Sequence, residues 1–137
     1  MEEILFRAKA INRDKGCRRT NYKDGDWVYG LVTRLYSKKL YEQGFGHIPA
    51  EMTDIDGVSG IEVDYKTIGQ YTGVKDRNGK KIFEGDIVLI PAYPRGKHKA
   101  TVYFKDGKFA VDGSNHSFKN IISNITEVIG NIYDEED

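Results

Sequence analysis

The sequence predicts a mainly β protein, on three observations. Ile87-Val-Leu-Ile90 is a continuous run of branched apolar residues, opened by the turn cluster Glu84-Gly-Asp86 and closed by Pro91, which reads as a buried strand. Trp27 to Tyr36 is dense in aromatic and β-branched residues, the side chains that fit a pleated, half-buried surface. Asp106-Gly107 separates two runs of alternating apolar residues, Ala100–Phe104 and Phe109–Val111, and such a dipeptide is a strong short-range hairpin signal.

Taken in order, Ile4 to Ile11 alternates as a first strand, with Ile4, Phe6, Ala8 and Ala10 on one face. Asn12 to Asp26 is polar, and its Asp14-Lys-Gly16 and Lys23-Asp-Gly25 are turn signals. In the strand from Trp27, Gly30 suggests a bulge or a close approach of backbone. Ser37 to Gln43 could extend a helical turn, because Leu35, Tyr36 and Leu40 fall near helical spacing, but Gly44 and Gly46 limit it. A short return strand over Phe45–Ile48 ends at Pro49. Ala50 to Gly60 reads as a loop and Ile61 to Val63 as a short strand. From Thr67 to Leu89 the pattern is strand, turn, strand, with Asp76-Arg-Asn-Gly79 as the turn. Pro91 and Pro94 bracket a loop ahead of the hairpin. Phe118 to Ser123 suggests an irregular edge or helical turn, and Ile125 to Tyr133 a closing strand before an acidic tail that should fray. Two short echoes recur: Asp24-Gly-Asp-Trp-Val with Glu84-Gly-Asp-Ile-Val, and Ile68-Gly-Gln-Tyr71 with Ile129-Gly-Asn-Ile-Tyr133.

The 137 residues are enough for one modest core, and 39% hydrophobic with 31% charged residues fits neither a disordered chain nor a membrane protein. No apolar run approaches the ~18–20 residues that a transmembrane helix needs. The acidic N-terminus reads as no signal peptide, and a lone Cys17 has no internal disulfide partner, so the expected compartment is the cytoplasm. The net charge of zero hides four alternating blocks. Residues 1–40 hold ten basic and five acidic residues, 41–74 one and six, 75–108 nine and four, 109–137 one and six. That alternation permits a charge-complementary self-contact. It lacks the overall basic excess usual in a domain built for phosphate.

Few residues suggest chemistry. Asp54-Ile-Asp-Gly-Val-Ser-Gly-Ile-Glu62 resembles a calcium loop in composition, but with Gly57 at the sixth position Met52 and Val63 fall where carboxylates are required. His47, His98 and His116 have no partner at zinc-ligand spacing. Glu84 and Asp86 could perform acid–base work, but turn chemistry accounts for them, since Asp86 can accept backbone N–H groups there. No nucleophile elbow, phosphate-cradling loop or cofactor fingerprint is present, and neither an enzyme nor a cofactor is expected. The binding candidates are Arg95, Lys97 and Lys99, with His98 among them, followed by Tyr103 and Phe104. A basic loop beside strand aromatics is how small barrels hold single-stranded nucleic acid. The plainer reading is that Tyr103 or Phe104 faces the core and the loop is merely solvated.

The stretch from Val63-Asp through Thr67-Ile-Gly-Gln-Tyr-Thr-Gly-Val-Lys-Asp-Arg-Asn-Gly-Lys-Lys-Ile-Phe-Glu-Gly-Asp-Ile-Val88 resembles the signature of the YopX-like proteins of phages and prophages. Ile4-Leu-Phe-Arg-Ala-Lys9, Trp27-Val-Tyr-Gly30 and Val128-Ile-Gly-Asn-Ile-Tyr133 match in the expected order. Ala8, where such proteins often carry Gly, and the acidic tail depart from it. The resemblance implies a mostly β fold with a compact, barrel-like C-terminal part and a tendency to self-associate, and it brings no catalytic residues. The expected architecture is an N-terminal β region over residues 1–65, packed with a small β-barrel-like region over 66–137. The expected function is that of a non-enzymatic accessory protein, a homo-oligomer that contacts an unknown phage or host protein, with nucleic-acid binding as the alternative and no membrane partner.

Overall fold

The computed structural model describes residues 3–12, 22–35, 50–91, 97–111 and 126–134, with the side chains of Pro91, Lys97 and His98 excepted. The expected helical turn at 37–43, return strand at 45–48 and edge at 118–123 lie outside the described residues, as do Cys17, His47 and His116. Among the described residues nearly every ordered element is a strand, all antiparallel to their neighbours, and the single helical element is one 3-10 turn. The chain is mainly β. It divides into two units, Ile4–Gln70 and Tyr71–Asp137 with Met1–Glu3.

The N-terminal unit holds β1 (Phe6–Lys9), β2 (Trp27–Leu35), β3 (Ala50–Asp54), β4 (Ile61–Val63), the 3-10 turn Tyr65–Thr67 and the start of β5 (Gly69–Lys75). Its strands run in the order β4-β3-β2-β1-β5. The sheet curls until the end of β1 meets β4: Ile11 N–H donates to the Glu62 carbonyl (2.8 Å), Asp64 N–H to the Lys9 carbonyl (2.9 Å), and Ala10 bridges Val63. Ala8, Ala10 and Ala50 line the inside of the curl with Val28, Met52, Ile61 and Val63. Small residues on some strands leave room for large ones on others, the usual way to fill a tightly rolled sheet. Thr67 reinforces the same junction, its Oγ1 accepting from Lys9 N–H and donating to the Asp64 carbonyl.

Gly30 sits where the roll is tightest. A Cβ there would run into the Thr53 carbonyl oxygen and lie 2.7 Å from the Asp54 Cα, so the close approach expected of this glycine is real. The bulge lies just beyond, between Val32 and Arg34. One sequence expectation fails here: Ala50 to Asp54 is a strand, not a loop. Its alternation is regular, with Ala50 and Met52 buried and Glu51 and Thr53 half-buried. The absence of a β-branched run, and an aspartate at the third inward position, conceal it in the sequence.

The C-terminal unit continues β5 into β6 (Lys81–Phe83), then β7 (Asp86–Pro91), β8 (Lys97–Lys105), β9 (Lys108–Val111) and β10 (Glu127–Asn131). Its sheet has the order β10-β7-β8-β9, with β7 central as its apolar run requires. The β8–β9 turn is Asp106-Gly107, both at positive φ (55° and 79°), the mirror-image geometry that suits the strand twist. Ile82, Val88, Ile90, Ala100, Val102 and Val111 form the core, with Val74, Phe109 and Val128 around it.

The described residues of this part do not form a closed barrel. Among the described residues the four-stranded sheet stays open, with β9 and β10 at its margins. The β5–β6 hairpin contributes Val74 and Ile82 to the core, so the sheet buries its apolar side under a second layer and has no need to roll. Backbone bonds tie that hairpin down, from Gly85 N–H to the Val102 carbonyl (2.8 Å) and from Arg77 N–H to the Thr126 carbonyl (2.9 Å).

Candidate functional site

Asp54, in the calcium-like stretch, and Asp76, in the turn between β5 and β6, are both engaged by backbone N–H groups. Asp54 Oδ1 accepts from the N–H groups of Asp56 (3.0 Å) and Val58 (2.9 Å), and its Oδ2 from the Tyr22 hydroxyl (2.8 Å). Asp76 repeats the arrangement in the other unit: Oδ1 accepts from Asn78 and Lys80 N–H (2.9 Å each), and Oδ2 from Val128 N–H (2.9 Å). Each turn closes with matching main-chain bonds, Gly57 to Asp54 and Gly79 to Asp76. Burial would raise both carboxyl pKa values, but these hydrogen bonds outweigh it and hold both below the ordinary aspartate value. Neither is poised to carry a proton at neutral pH. Tyr22 shows the converse: burial, then the hydrogen bond to Asp54 and the nearby carboxylate charges, push its hydroxyl up to about 12.

Asp86 is also a turn residue, as expected. Fully buried, it accepts from Phe83 N–H at 2.8 Å, and Asp26 does the same for Lys23 N–H at 2.8 Å. The preceding glycines match too, with φ of 89° at Gly25 and 91° at Gly85. The sequence echo between Asp24-Gly-Asp26 and Glu84-Gly-Asp86 is therefore one turn used twice. At Gly85 a Cβ would also meet the Tyr133 ring at 2.9 Å. Among the described residues no three His, Cys, Asp or Glu side chains gather as metal ligands.

Of the binding candidates, Arg95 lies outside the described residues, and Lys97 is placed only by its backbone, paired with Pro91. Lys99 is exposed and pairs with Leu89; Tyr103 is half-buried and pairs with Ala110. Four residues apart in one strand, they share a face. Ala100 and Val102 point the other way, into the core. Of the two aromatics, Tyr103 is the one turned away from the core. Phe104 lies on the core side but beyond the core, 48% exposed and edge-on to Phe109 at 5.0 Å. Sequence reading passed over Lys105 and Lys108, which are paired across the hairpin and both exposed. Alternation from Lys99 was the signal that could have found Lys105.

A second surface was not anticipated. The face of the N-terminal sheet turned from its core carries Trp27, Tyr29 and Leu31 along β2, with Lys9 on one side and Glu51 and Glu62 on the other. Tyr29 is 36% and Leu31 50% exposed. Arg7, on this same face, is buried with its guanidinium 4.4 Å from the Trp27 ring centre, and Lys9 Nζ lies 5.3 Å from it. A charge on an outward-facing strand position reads as solvated, but here stacking on an aromatic face takes the place of water.

A sequence profile of the YopX protein family matches residues 18–136. The chain belongs to the YopX family. Its fold is similar to that in the crystal structure of protein EF1440 from Enterococcus faecalis, with a TM-score of 0.54 at 23% identity over 97% of this chain and 95% of that one. At that identity the likeness concerns the fold. No curated protein matches the chain. The YopX signature noted in the sequence, Val63 to Val88, spans the 3-10 turn, β5, β6 and the start of β7, with the Asp76 and Asp86 turns. What marks the family is architecture. No helix among the described residues is long and apolar enough to cross a membrane.

Proposed function

We propose that this member of the YopX family is a non-enzymatic accessory protein of a phage or prophage, resident in the host cytoplasm, that acts through protein–protein contacts and self-association. The observation that carries this reading is the exposed Tyr29–Leu31 stripe on β2, with Arg7 opposite Tyr29 and Thr53 opposite Leu31. The use of Asp54, Asp76 and Asp86 as turn acceptors supports a binding role over a catalytic one.

Static light scattering on the full chain at tens of micromolar tests the self-association. A dimer or larger species is expected, and a strict monomer would remove that claim. The shared face of Lys99 and Tyr103 supports a second reading, nucleic-acid binding.

A further inference from the structure

On one face of β8, Lys99, Thr101, Tyr103 and Lys105 alternate, and Lys108 and Ala110 of β9 stand opposite Lys105 and Tyr103. On the β7 side, Leu89 and Ile87 stand opposite Lys99 and Thr101 and are half-buried. The three lysines are exposed, and the tyrosine is half-buried among the strand neighbours. Glu127 of β10, beyond Leu89, is the acid at the far margin; Asp106 lies in the turn. At about 3.3 Å per residue, Lys99 and Lys105 stand about 20 Å apart along the strand, with Tyr103 between them. The sheet thus holds cations in a row with an aromatic ring set among them.

We propose that this face binds single-stranded nucleic acid, with Lys99, Lys105 and Lys108 on the phosphates and Tyr103 as the platform on which a base stacks. The inference rests on reading the protein as a binding module and adds a ligand class to it. Charge complementarity alone would also suit an acidic protein segment, but such a segment gives a tyrosine face nothing to stack on. A duplex hides the faces of its bases. An unpaired strand offers both a line of phosphates and open π-faces, which is the combination this surface matches.

The test is fluorescence anisotropy of a labelled oligothymidylate single strand titrated with the full chain. Three phosphate contacts predict that log K falls against log salt with a slope of about −2, from about 0.7 per contact. The exposed triple variant K99Q/K105Q/K108Q should weaken binding at low salt about tenfold or more and flatten that slope. Tyr103→Leu should weaken binding about fivefold or more with the slope kept, and Tyr103→Phe should bind as the wild type does. Circular dichroism melts verify the fold of each variant; the lysine triple carries the test by itself if Tyr103→Leu does not fold.

No binding at low salt, or unchanged affinity and slope in the lysine triple, would overturn the proposal. So would equal affinity for a duplex of the same length. Displacement by polyglutamate as readily as by unlabelled oligothymidylate would assign the face to an acidic protein instead. Failure on any of these grounds leaves the light-scattering result, and the reading of self-association, untouched.

Discussion

Asp54 and Asp76 are near-duplicates, each holding two turn amides on one oxygen and a distant partner on the other. Replacing either by Asn keeps the shape but removes the charge that the amides favour. Each substitution should lower stability by about 1–3 kcal/mol, the cost of disrupting buried, charge-assisted hydrogen bonds, read as a shift in the urea midpoint. The pH dependence follows from the direction of the shifts. Both folded-state pKa values lie below the ordinary one, so the contribution is present above about pH 3.9, the unfolded value, and is lost as pH falls through the folded value. Melting temperatures of the wild type should fall more steeply than those of the D54N/D76N pair as pH drops below about 3.9. Tyr22 works in the opposite direction. Raised to about 12, it contributes stability below its unfolded value of about 10, and this is lost as pH rises towards the folded value. An alkaline ultraviolet titration of Tyr22→Phe should lack one group titrating near 12 that the wild type shows. The sequence displayed these aspartates plainly, but their register argued only against calcium. That Asp54 and Asp76 share one turn depends on which amides fold back onto them, and composition does not reveal that.

At the scale of elements, the strands with the strongest local signals were legible: β2 and β7 from their apolar runs, and the β8–β9 hairpin from Asp106-Gly107. The third inward position of β3 holds Asp54, a residue that rarely faces a core, so its alternation looked like a loop. Arg7 was misleading for a related reason, since its burial rests on Trp27, a residue twenty positions away in sequence and adjacent only across the β1–β2 pair. Gly30 was legible as an anomaly. Gly30→Ala would force a Cβ against the Thr53 carbonyl in the tightest part of the roll and should cost about 1–3 kcal/mol, as overpacking does. Denaturant unfolding should show a lower midpoint with an unchanged slope. Ile4, at 66% exposed, is the control: Ile4→Ser should stay within about 0.5 kcal/mol of the wild type.

For the molecule as a whole, the mainly β class and the family were both readable, because turn chemistry and strand runs are local and the YopX signature is made of them. The C-terminal barrel was not correct, since closure depends on what covers the apolar side, and here the β5–β6 hairpin covers it. The candidate surface was half legible. Lys99 and Tyr103 were found as neighbours in sequence, whereas Lys105 and Lys108 belong with them only through hairpin register. The outer face of β2 was missed entirely, since its aromatic and apolar residues read as core until the sheet assigned them a side. Sedimentation velocity of the wild type beside a Tyr29→Ser/Leu31→Ser variant tests the central claim most directly. The account predicts that the wild type sediments as an oligomer with increasing concentration, and that the variant sediments as a folded monomer whose melting temperature does not rise with protein concentration. A wild type that remains monomeric throughout, or a variant that still assembles, would contradict it.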